Sequence, residues 1–128
     1  MWVVQKESSI IARRFKDNPN PIEYIAGQFE LTEEQLGIKE LLIGYISVGS
    51  WGCDSSAWFL FEDTDGNLKE VHASHCSCYG FEDQWVPKDT SITYLKSDNF
   101  YFSCGGYDDS SEGNKLLVKE YISKMKGK

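Results

Sequence analysis

The stretch Ala57-Trp58-Phe59-Leu60-Phe61-Glu62-Asp63, continued after Thr64 by Asp65-Gly66 and then by Asn67-Leu68-Lys69-Glu70-Val71-His72-Ala73, decides the fold. Asp-Gly between two apolar-rich runs is the strongest short-range signal for a β-hairpin. With Asp65 and Gly66 as the central turn residues, Trp58 faces Ala73 and Leu60 faces Val71. Those four share one side of the hairpin, while Phe59, Phe61, Leu68 and His72 share the other. Large groups on both sides predict a central hairpin, over about 57–63 and 67–73, that is covered on both faces.

Upstream, residues 41–48 (LLIGYISV) are rich in β-formers and are punctuated by Gly49-Ser50, which predicts a further strand. The first third reads as helical. Ile10, Ile11, Arg14 and Phe15 form a short amphipathic stretch that must stop near Asp17-Asn18-Pro19-Asn20-Pro21. Ile22, Ile25 and Phe29 recur at helical spacing, and Thr32-Glu33-Glu34-Gln35 has the form of an N-cap with acidic residues in the first turn. Downstream, Lys88-Asp89-Thr90-Ser91 after Pro87 resembles a helix start leading into Ile92, Leu95 and Lys96. Residues 99–104 (NFYFSC) are expected as a strand and 112–126 as a closing helix, with lysines at its C-terminal end that complement the helix dipole. The expectation is one α+β domain over residues 1–128, an antiparallel sheet packed by N- and C-terminal helices.

The chain has 128 residues, enough for one modest core. Aromatic residues make up 14%, so that core is expected to be built from rings. Asp and Glu number 20 against 13 Lys and Arg, a net charge of −7. Sequence-independent nucleic-acid binding needs a basic footprint, so no direct contact with nucleic acid is expected. The most apolar run, 41–48, falls far short of the ~18 residues that cross a bilayer, and the opening Met1-Trp2-Val3-Val4-Gln5-Lys6-Glu7 lacks the pattern of a secretory signal. The cytoplasm, where thiols stay reduced, is the expected location.

Chemistry concentrates in His72-Ala73-Ser74-His75-Cys76-Ser77-Cys78-Tyr79-Gly80, which holds both histidines and two of the 4 cysteines. Cys53 and Cys104 each sit next to glycine. If the hairpin ladder with a two-residue turn runs on, Cys53 lies opposite Cys78, although one bulge would shift this register. Zinc takes about four ligands in a tetrahedron and prefers thiolate and imidazole. Cys76 and Cys78, spaced i and i+2, project to one side of an extended chain. Cys53 adds a third ligand, and Cys104 or His75 completes the shell. The expected cofactor is therefore structural zinc, held by four of Cys53, His75, Cys76, Cys78 and Cys104. Competing readings are a disulfide pair, a catalytic dyad of Cys76 or Cys78 with His72 or His75, and cysteines buried as small hydrophobes beside satisfied histidines.

Other groups point less sharply. Glu62-Asp63-Thr64-Asp65 lacks the twelve-residue ligand pattern of a calcium loop and reads as a solubilised hairpin tip. Glu82-Asp83 and Asp108-Asp109 read as solvated faces, and Gly105-Gly106 as a turn. Trp51, Trp58 and Trp85 read as core.

The run His75-Cys76-Ser77-Cys78-Tyr79-Gly80-Phe81-Glu82-Asp83-Gln84-Trp85 resembles a motif of small phage- and prophage-encoded proteins. The aromatic-rich hairpin before it and Gly106-Tyr107-Asp108 after it fit the same group, so the resemblance covers roughly residues 40–110. Within that group the chain looks most like the zinc-containing anti-CRISPR inhibitors of type II-A Cas9. The resemblance implies a monomeric binding inhibitor, not an enzyme, acting in the bacterial host cell. Its partner would be host Cas9 or another bacterial protein, and no membrane is involved. Cas9 carries basic channels toward which an acidic surface would be steered, blocking DNA loading or cleavage. The alternative classes are a thiol-dependent enzyme or redox protein using Cys76 and Cys78, and a phage interaction protein with another host target.

Overall fold

The computed structural model describes residues 2–6, 18–47, 55–75, 84–97, 100 and 119–124. Within them β1 (Trp2–Lys6), β2 (Ile38–Ser47), β3 (Ser55–Asp63), β4 (Leu68–His75) and β5 (Lys88–Asp89) form one sheet in that order. From β2 to β5 neighbours are antiparallel, and β1 joins parallel to β2, Trp2 beside Ile43 and Lys6 beside Ser47. The helices are α1 (Pro21–Gln28), α2 (Glu33–Leu36) and α3 (Ile92–Leu95), and residues 119–123 are also helical. This is the expected α+β architecture around a central hairpin.

The hairpin is where it was expected, but its register is not. Asp63 N–H donates to the Asn67 carbonyl (2.9 Å) and Gly66 N–H donates to the Asp63 carbonyl (3.0 Å), so Thr64, Asp65 and Gly66 make the loop. Asp63 Oδ1 also accepts from the N–H groups of Asp65 (2.9 Å) and Asn67 (2.8 Å). Only Gly66 in this loop takes a positive φ, 84°. A two-residue type I′ turn would force Asp65 there as well. The three-residue loop spares Asp65 that strain and satisfies two further N–H groups through Asp63. The consequence is a one-residue slip: Trp58 pairs with His72 and Phe59 with Val71. Such a slip exchanges faces. Val71 and Ala73 lie with Phe59 and Phe61, while Leu68 and His72 lie with Trp58 and Leu60.

Each face of β3 builds its own core. On one face Ala57, Phe59, Phe61, Val71 and Ala73 pack against Ile25, Ala26 and Phe29 of the α1 segment and Leu36 of α2. On the other, Ile43, Tyr45, Trp58 and Leu60 pack against Ile92 and Leu95 of α3, Phe100 and Ile122. Leu41 and Ile43 are two residues apart on β2 yet lie in different cores, because an irregularity in the β2–β3 register falls between them.

Local chemistry starts and stops the helices. Asn20 caps α1 by accepting from Glu23 N–H (3.3 Å), with Pro21 next. Thr32 and Gln35 form the capping box of α2, each accepting from the other's backbone N–H at 3.1 and 2.9 Å, and Gly37 closes it at φ 71°. Two expectations need correction. The chain does not begin helically at Trp2–Lys6, where the β-forming Trp2-Val3-Val4 run instead finds a distant partner in β2. Lys88–Asp89 is strand, and α3 starts only after Ser91, whose Oγ accepts from Tyr94 N–H (3.1 Å). The helix expected from Ile10 to Phe15, the strand at 99–104 except Phe100, and most of the closing helix fall outside the described residues.

Candidate functional site

Glu70 and His72 are two residues apart on β4, so both side chains leave the strand on the Trp58 side of the sheet. Glu70 is 5% exposed. Its Oε1 lies 2.5 Å from His72 Nε2. His72 stands opposite Trp58, their ring centroids 6.3 Å apart, and Trp58 stands opposite Tyr45. Three adjacent strands thus contribute a continuous row, Tyr45–Trp58–His72, across the second core. Beyond it, Glu70 pairs in register with Lys88 of β5. Glu70 Oε2 and the Thr90 hydroxyl are both buried.

Burial alone pushes the Glu70 carboxyl up. The hydrogen bond with His72 opposes this, reinforced by the Thr90 hydroxyl, the electrostatic attraction of His72 and the Trp58 indole, and together they hold it below its ordinary value. Glu70 is therefore a buried anion near neutral pH. General acid–base chemistry needs a group within hydrogen-bond reach of a substrate. Here Nε2 is engaged by Glu70 and Nδ1 is enclosed. The arrangement suits orientation of β4 within the sheet better than proton transfer to a ligand. A shallow hollow of about 340 Å³ lies close by, lined by Asp89, Thr90, Ser91 and Tyr94. Of its lining residues, Asp89 is paired with Lys69 and Ser91 caps α3.

The chain matches no known family model, no curated protein and no solved structure.

Of the residues expected to bind zinc, Cys53, Cys76, Cys78 and Cys104 lie outside the described residues. His75 ends β4, with its backbone in register with Ser55. The pairing that set Cys53 opposite Cys78 rested on the two-residue turn, and the observed ladder removes that premise. Among the described residues, no three His, Cys, Asp or Glu side chains converge as a metal site. Trp58 is core, as expected, and Trp85 is a half-buried lid on the first core. It stacks on Phe61 (5.5 Å, 17°), meets Phe29 edge-on (4.9 Å) and donates through Nε1 to the Leu36 carbonyl (3.0 Å). Trp51, Glu82-Asp83, Gly105-Gly106 and Asp108-Asp109 lie outside the described residues. The acidic hairpin tip is structural, since Asp63 is consumed by the turn and Glu62 faces Lys39 at 3.5 Å. Sequence reasoning missed Glu70. Its signal was Glu-x-His within a strand, a spacing that puts both side chains on one face.

Proposed function

We propose that this chain is a non-enzymatic binding inhibitor of the anti-CRISPR type, directed at host Cas9, with a structural zinc site drawn from Cys53, His75, Cys76, Cys78 and Cys104. The observation that supports the metal reading is the register of Ser55 with His75. Cys53 precedes Ser55 by two residues and Cys76 follows His75 directly, so both cysteine-bearing segments continue from strand ends that lie side by side. Thiolate and imidazole suit zinc, and a metal there would clasp the open end of the hairpin opposite its turn. Zinc would supply folding energy and no reaction step.

Inhibition on this reading is occupancy of a protein surface. The net charge of −7 supports attraction to the basic channels of Cas9. Elemental analysis of protein purified without metal resin tests the metal, with about one zinc per chain expected. Cys78→Ser is expected to release it and to lower the melting temperature sharply. A metal-free wild type with freely alkylated thiols would overturn the zinc site and favour thiol chemistry. A Cas9 cleavage assay tests the partner, and full cleavage at saturating protein would redirect the search to another host target.

A further inference from the structure

Strand β5 is two residues long and meets β4 at only two positions, Asp89 beside Lys69 and Lys88 beside Glu70. So short a ladder holds poorly by itself. Side chains of β4 flank it on both faces. Lys69 Nζ binds the Asp89 carboxylate on one, and Glu70 lies with Thr90 beneath the other. Thr90 N–H closes the contact by donating to the Leu68 carbonyl (3.1 Å). The helix that follows is anchored separately, through buried Ile92 and Leu95 and its Ser91 cap. Among the described residues, β5 is the only strand along the outer edge of β4.

We propose that residues 88–90 are a detachable guard on the β4 edge, latched by the carboxylates of Asp89 and Glu70 and released when these are replaced by neutral groups. The groups facing Glu70 are His72 on its own strand, Lys88 on β5, Thr90 after it, and Trp58 and Leu60 on β3. Facing Asp89 is Lys69, which also feels Asp63 and Asp65 at the hairpin tip. Replacing the two carboxylates leaves Lys69 without its ion-pair partner and removes the charge that His72 and Thr90 face on Glu70. Among the described residues, release uncovers the edge backbone of Leu68, Lys69 and Glu70. Because α3 has its own apolar anchors, the opening stays local.

Amide hydrogen exchange on the full chain tests this. In Asp89→Asn, and more so in Glu70→Gln, the Thr90 amide is expected to lose protection at least ~tenfold at neutral pH, while Leu95 and Phe59 keep theirs. Unchanged Thr90 protection in both variants, or loss only together with Phe59, would overturn the proposal. Should Glu70→Gln fail to fold, Asp89→Asn, whose side chain is 85% exposed, carries the test alone.

Discussion

Glu70 is a carboxylate that this fold needs ionised. Its folded-state value lies below the ordinary 4.5, so its stabilising effect is fully present above that value and is lost as pH falls through the lowered one. Acid should therefore weaken the protein in the region below about pH 4.5, and Glu70→Gln should flatten that part of the profile while lowering stability near neutrality. Thermal melts of both proteins across pH check this, and parallel profiles would count against it. His72→Ala removes the partner of Oε1 and leaves a buried anion underpaired. A loss of roughly 1–3 kcal/mol is expected from urea unfolding. Trp85→Ala strips three ring contacts and the hydrogen bond to Leu36, for a loss of roughly 2–4 kcal/mol given its partial burial.

At the scale of elements, the hairpin turn concentrates the local information. Gly66→Ala forces a Cβ into φ 84° with nothing crowding it, so the cost is conformational, about 1–2 kcal/mol. Asp63→Ala removes two side-chain hydrogen bonds and should cost roughly 1–2 kcal/mol. Equilibrium unfolding of the two variants measures both. Asp65-Gly66 between aromatic runs made the hairpin legible from sequence, and Thr32 with Gln35 made the capping box legible, because both are written in neighbouring residues. The register was not, since Asp-Gly serves two- and three-residue loops alike and Asp63 decides between them. Strand β1 was illegible for a different reason: its partner, beginning at Ile43, lies some forty residues away, and parallel pairing leaves no local trace. Strand β5 is too short to show a period. At the candidate site, both histidines drew attention through their clustering with cysteine, whereas Glu70 stood outside that cluster and only the sheet shows it buried.

For the molecule as a whole, two apolar layers share a single sheet, and the chain carries a net charge of −7. If Cas9 is the partner and attraction is electrostatic, inhibition should weaken as ionic strength rises and the screening length contracts from about 10 Å to about 3 Å. Titrating salt in a cleavage assay reads this directly, and salt-independent inhibition would point to an apolar contact. Sharing one sheet between two cores also places a burden on β3. From Ser56 to Phe61 every residue is buried, and the run Ala57-Trp58-Phe59-Leu60-Phe61 carries no charge and no proline. That is the composition of a cross-β segment, kept from self-association only while β2 and β4 flank it and both layers cover it. Glu62 and Asp63, directly after the run, act as gatekeepers during synthesis and refolding. The same strand that lets one sheet serve two cores makes partial unfolding an aggregation hazard. Neutralising Glu62 and Asp63 together should therefore reduce soluble yield on refolding by more than the loss of native stability accounts for.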